Sequence, residues 1–133
     1  MATASQKRKS LRLLQEIAQQ APVQTIALAK WGGESLAFFS ERTTDPNIFS
    51  AMSAAIAGAS QMVCDRMEMG PPREVIVRSS SGYTIFLISE YILIGSASDI
   101  RTVAISLRVF RTFFPKLYAI FNPEWAQKNK ILS

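Results

Sequence analysis

The alternation of apolar and polar positions divides the chain into helix-like and strand-like blocks. Leu11, Leu14 and Ala18, with Ile17 beside them, make a stripe at helical spacing over about residues 6–20, and Pro22 ends it. Two short apolar runs follow, 25–31 and 34–41, separated by Gly32 and Gly33, which is a hairpin signal. A segment without a charge then extends from Asn47 to Cys64, and after it come three more strand-like blocks, 73–79, 82–89 and 91–97. Ser80, Ser81 and Gly82 mark one turn, Ser89 and Glu90 the next. Val75 and Val77 alternate with Glu74 and Arg78, as on a strand partly open to solvent. Residues 83–88 and 91–94 are apolar on both faces, which places them centrally in a sheet covered on both sides. Ser98 or Asp99 starts a last helix with Ile100, Val103, Ala104, Leu107, Phe110 and Phe114 on one face, and Pro115 is its predicted interruption.

The uncharged segment is the most informative of these blocks. Roughly eighteen uncharged residues is the length at which a membrane span becomes a candidate. Composition argues against one: Asn47, Ser50, Ser53, Ser60 and Gln61 interrupt the run, Gly58 and five alanines dilute it, and it has no leucine. A little-exposed helix fits better. Asp45 suits its N-cap, Pro46 its first position, and Gly70-Pro71-Pro72 its stop, so the helix is predicted over 46–69.

Projected at 100° per residue, this helix has two apolar faces. Ile48, Phe49, Met52, Ile56, Val63 and Met67 form a bulky side, expected to pack on the sheet. Ala51, Ala54, Ala55, Gly58 and Met62 form a small-residue side, with Ser50, Ser53, Ser60, Cys64 and Glu68 as a polar strip. A second apolar stripe asks for another partner, and the pairs Ala51/Ala55 and Ala54/Gly58 would admit a second helix at close range. A loop or the C-terminal tail of the same chain is the alternative cover.

With 133 residues the chain is long enough for one domain with its own core. The single Cys64 cannot form an internal disulfide, which favours a reducing, intracellular setting, and the N-terminus lacks the apolar core of a secretory signal. A cytoplasmic location is expected. The net charge of +5 concentrates at the two ends: Lys7, Arg8, Lys9 and Arg12 near the start, and Arg101, Arg108, Arg111, Lys116, Lys128 and Lys130 toward the finish. These basic termini could be ordinary solvated faces or could allow peripheral contact with an anionic membrane.

The order helix, two strands, helix, three strands, helix covers residues 11–114. Together with the hairpin before a small-residue helix, the Arg-Glu-Val-Ile-Val run at 73–77 and Gly82-Tyr83 opening the next strand, it resembles the Roadblock/dynein light chain family, in its archaeal or bacterial form. The resemblance implies an α/β (α+β) fold, α-β-β-α-β-β-β-α, in which a five-stranded antiparallel sheet carries the central helix on one face and the outer helices on the other. It also implies homodimers or heterodimers with a paralogue, in which central helices pair and third strands join the sheets. Carried onto this chain, the helix contact falls on Ala51, Ala54, Ala55, Gly58 and Met62, and the strand contact on Val75, Ile76 and Val77. Gly32-Gly33-Glu34 stands where many relatives have an Asp-Gly turn. Flanking the domain are a basic arm, 1–10, and an extension, 115–133, whose Leu117, Tyr118, Ile120, Phe121 and Trp125 are expected to dock.

Catalytic chemistry finds little support. The absence of histidine excludes Ser-His, Cys-His and histidine-based metal sites. Gly32-Gly33-Glu34-Ser35 lacks the lysine and spacing of a phosphate loop. Neither a cofactor nor a metal is expected. The leading expectation is a non-enzymatic dimer that binds and regulates, or scaffolds, a small Ras-like GTPase. A longin-like trafficking domain or a small-ligand sensor is the alternative, although a longin would begin with a strand and a sensor needs a pocket between sheet and helix. Nucleic-acid binding on the sheet is disfavoured because its central strands read as covered.

Overall fold

A computed structural model describes residues 2–42 and 44–129. Residues 1 and 130–133, the outer ends of the predicted arm and extension, lie outside the described residues.

Helix α1 (Ala4–Gln20) starts earlier than the apolar stripe because Thr3 and Gln6 form a reciprocal cap. The Gln6 N–H donates to Thr3 Oγ1 at 3.1 Å, and the Thr3 N–H donates to Gln6 Oε1 at 2.9 Å. Strands β1 (Thr25–Ala29) and β2 (Ser35–Ser40) form the predicted hairpin, but its connection is longer than a two-glycine turn. The Lys30 N–H donates to the Glu34 carbonyl, the Gly33 N–H donates back to the Lys30 carbonyl, and Gly33 has φ +96°, a conformation that suits glycine.

Helix α2 (Pro46–Arg66) precedes β3 (Glu74–Arg78), β4 (Tyr83–Ile88) and β5 (Ile92–Ala97), and α3 (Ile100–Phe121) and α4 (Pro123–Lys128) close the chain. The five strands form one antiparallel sheet in the order β2-β1-β5-β4-β3. The two strands that read as apolar on both faces, β4 and β5, are indeed interior. Alternation along the strands then builds two cores. Ile26, Leu28, Ile85 and Leu93 face α1 and α3, whereas Ala27, Ala29, Phe86, Ile88, Ile92 and Ile94 face α2.

Helices α1 and α3 run antiparallel over their side of the sheet, with Gln6 Nε2 donating to the Ile120 carbonyl at 3.2 Å. The Phe110 ring fills the place of the side chain that Gly95 lacks: a Cβ there would lie 2.4 Å from its tip. Contrary to expectation, Pro115 does not end α3. It sits on the exposed side, where water can serve the carbonyl it leaves free, while Phe113, Leu117 and Ile120 carry the buried stripe onward. The same periodicity corrects the predicted face, since Ile100 and Ala104 are exposed. Beyond the proline the chain folds back on its own domain. Tyr91 packs against Tyr118 and Phe121, Trp125 stands edge-on to Tyr118 at 4.6 Å, and Asn122 Nδ2 donates to Tyr91 Oη at 3.2 Å.

Candidate functional site

Helix α2 is rotated about its axis by roughly a third of a turn from its predicted orientation. The side facing the sheet carries Ser50, Ser53 and Ala57, all buried, with Phe49, Ala54 and Ile56 half-buried beside them. Ile48, Met52, Val63 and Met67, expected to pack inward, are exposed. The cause is local. Ser53 Oγ donates to the Phe49 carbonyl and Ser60 Oγ to the Ile56 carbonyl, both at 2.8 Å, so these hydroxyls find partners four residues back on their own helix and need no water. Small side chains let α2 approach a sheet surface already filled by Phe86, Ile88, Ile92 and Ile94. Ser50 Oγ is buried without a partner, an unfavourable feature of this contact. Cys64 shares the inward stripe and is half-buried; the strip that looked solvent-facing in projection is the one turned to the sheet.

Of the predicted interface residues, Ala51, Ala55 and Met62 are exposed and Ala54 and Gly58 are half-buried at the border of the sheet contact. A Cβ on Gly58 would meet no atom within 4 Å, so nothing in the chain requires glycine there. The outward surface is broader and more apolar than the five residues alone, because Ile48, Met52 and Val63 join it and Met62 is 64% exposed. Sequence reasoning missed these three by ranking bulk above the capacity of serine to be buried.

Strand β3 supplies an open edge of the sheet, beyond the strands β1, β2, β4 and β5 on which α2 packs. It pairs only with β4, so its other side presents unpaired backbone groups. Val75 is half-buried, and Ile76 and Val77 are exposed, at 46% and 42%. Val75 lies opposite Phe86 and packs into the core beneath α2, and alternation puts Val77 on the same face. Glu74, Ile76 and Arg78 face the other way, and Glu74 pairs with Arg111 of α3. An apolar helix face and an apolar sheet edge are therefore both left open in one copy of the chain.

The ends of α2 fix its place. The Asn47 N–H donates to Asp45 Oδ1 at 2.9 Å, the predicted cap. At the other end the helix stops at Arg66, before the glycine expected to stop it. Glu68 takes the left-handed conformation with φ +55°, and the Met69 N–H donates to the Cys64 carbonyl.

A polar groove of about 470 Å³ lies at one end of the sheet, near Phe49, with Arg42, Thr25, Thr84 and Ser96 in its wall. Its hydroxyls mostly serve the fold. Ser96 Oγ accepts from the Gln24 and Thr25 N–H groups, and the Thr25 and Ser40 hydroxyls bond each other at 2.8 Å. Among the described residues no three side chains of metal-ligating type come together, and no helix is long and apolar enough to cross a membrane.

The architecture is the Roadblock/LC7 fold. Solved structures with the same arrangement include MglB from Myxococcus xanthus, with 13% identity, a TM-score of 0.78, and coverage of 86% of this chain and 96% of that one. The gliding protein MglB from Thermus thermophilus has 12% identity and a TM-score of 0.77 over 90% of this chain and 93% of its own. A Roadblock/LC7 domain from Streptomyces avermitilis has 16% identity and a TM-score of 0.67 over 81% and 97%. No family model matches the sequence, and no curated protein matches it.

Proposed function

We propose that the chain is a non-enzymatic, cytoplasmic interaction module that assembles through the outward face of α2 and the free edge of β3, and in that state binds and regulates, or scaffolds, a small Ras-like GTPase. The observation that carries the reading is the pair of open apolar surfaces. In a protein acting alone, the bulky face of α2 would be expected to turn inward; here Ile48, Met52, Met62 and Val63 are presented to a partner.

The β3 edge favours a second copy of this chain over a paralogue. Antiparallel self-pairing centred on Ile76 would set Glu74 of each copy opposite Arg78 of the other, on one face of the joined sheet, with the valines opposed on the other face. The GTPase part rests on the Roadblock resemblance, and the lack of histidine accords with a module that acts by positioning its partner.

Gly58→Leu tests the assembly. The space around Gly58 lets the variant fold, and removing a helical glycine favours the helix by about 1 kcal/mol. Sedimentation velocity should convert from dimer to monomer, and an unchanged dimer would overturn the proposed contact. For the GTPase, the purified dimer is to be assayed against the Ras-like GTPases of the same organism loaded with GDP or a GTP analogue. Binding that depends on the nucleotide is expected; failure in both states rejects that part alone.

A further inference from the structure

The side of the sheet away from α2 carries a different surface. Helices α1 and α3 each bear four basic residues and share one acid, Glu16. Arg111 is committed to Glu74, but Lys7, Arg8, Lys9, Arg12, Arg101, Arg108 and Lys116 are exposed with no ion pair among the described residues. On α3 the outward line Arg101, Ile105, Arg108, Thr112, Lys116 runs opposite the buried line Val103, Leu107, Phe110, Leu117. Because α1 and α3 are antiparallel neighbours, Arg8 and Arg12 of α1 lie toward the Lys116 end of that line and Arg101 lies at the far end.

We infer that the outward face of the α1–α3 layer binds an anionic phospholipid surface. Three observations select lipid over other polyanions. Cations extend along the whole layer, as suits a plane of headgroups. Ile105, 45% exposed, stands between Arg101 and Arg108, and Ile100 is more exposed still; aliphatic side chains among cations suit the boundary of headgroup and acyl chain. Finally, the exposed large apolar residues include no aromatic, so among the described residues the face lacks a platform for stacking bases.

The doubled form of this surface rests on the assembly proposed above. Edge-to-edge pairing of β3 about an axis perpendicular to the sheet keeps both α1–α3 layers on one side and both α2 helices on the other. One face of the dimer then meets the bilayer with twice the charge, while the paired α2 helices lie on the opposite side, away from it.

The test is co-sedimentation of the full chain with phosphatidylcholine vesicles, with and without phosphatidylglycerol, alongside sedimentation velocity in the same buffer. Attachment is expected to the anionic vesicles only, and to fall steeply with added salt. Each basic residue near such a surface strengthens attachment about five-fold, so reversing Arg8, Arg12, Arg101 and Arg108 to glutamate should weaken it by more than about a hundred-fold while the dimer persists. Ile105→Ser should weaken it without changing the salt dependence. A dimer that ignores anionic vesicles overturns the inference and leaves the assembly standing. A monomer that still sediments with them overturns the assembly alone. Tighter binding to duplex DNA than to anionic vesicles at equal salt would replace lipid with nucleic acid.

Discussion

Helix α3 buries Phe110, Phe113 and Leu117 and turns Arg101 and Arg108 to water, whereas α2, across the same sheet, buries Ser50, Ser53 and Ala57 and turns Met52, Met62 and Val63 outward. The first arrangement places its largest side chains inside the chain and leaves only Ile100 and Ile105 in water. The second leaves large apolar side chains in water, which is the feature the proposed assembly would cover. Hydrophobic patterning identified both helices, and only α3 followed the rule that bulk goes inside.

The sharpest way to break this contrast is to truncate one side chain on each helix. Phe110→Ala should lower folding stability by about 3–5 kcal/mol in urea unfolding, because a fully buried ring leaves both a cavity and an empty slot over Gly95. Met62→Ala, measured at concentrations where the chain is monomeric, should change stability by no more than about 0.5 kcal/mol. Comparable losses would mean that α2 packs in the chain much as α3 does.

The helix ends extend the comparison at smaller scale. Glu68 closes α2 in a left-handed conformation that costs a side-chain-bearing residue about 1 kcal/mol, so Glu68→Gly should raise the thermal midpoint by a few degrees. A decrease would show that the Glu68 side chain makes a contact worth more than the strain.

Helix α3 instead begins at a well-matched cap. The Thr102 N–H and hydroxyl both donate to Asp99 Oδ1, at 2.9 and 3.0 Å. Chiefly through the backbone bond, they hold the Asp99 carboxyl below its ordinary value. A lowered folded-state pKa contributes stability that is complete at neutral pH and is lost as the pH falls below about 4. Asp99→Asn keeps an acceptor without a titrating group, so its acid-unfolding curve should be slightly flatter there than that of the parent. Identical slopes would remove the cap from the acid response.

Much of the fold was legible because its signals were redundant. Strand blocks, turn residues and the Asp45-Pro46 start agreed with one another, and the interior places of β4 and β5 followed from sequence apolar on both faces. The orientation of α2 was not legible, because hydropathy treats serine as solvent-facing. Ser53 and Ser60 escape that rule through bonds to carbonyls four residues back, which a linear pattern does not display. Pro115 misled for a related reason: the loss of one backbone bond on the exposed side is outweighed by Phe113, Leu117 and Ile120, whose burial depends on tertiary packing. Of the candidate site, Ala51, Ala55 and Met62 were reachable by projection, while Val75, Ile76 and Val77 came from the family resemblance and not from the alternation itself.

The open edge of β3 also bears on the life of the protein before it meets any partner. Val75, Ile76 and Val77 form a short apolar template with unpaired backbone groups, on which any extended chain could add a strand. Glu74 and Arg78 bracket it as gatekeepers, disfavouring strands that bring like charges opposite them. If the chain assembles as proposed, an unassembled copy is the more aggregation-prone form, and covering the edge stabilises the fold by mass action. Under that proposal cellular abundance would read out partner supply, because copies made in excess would be the ones exposed to chaperones and proteases.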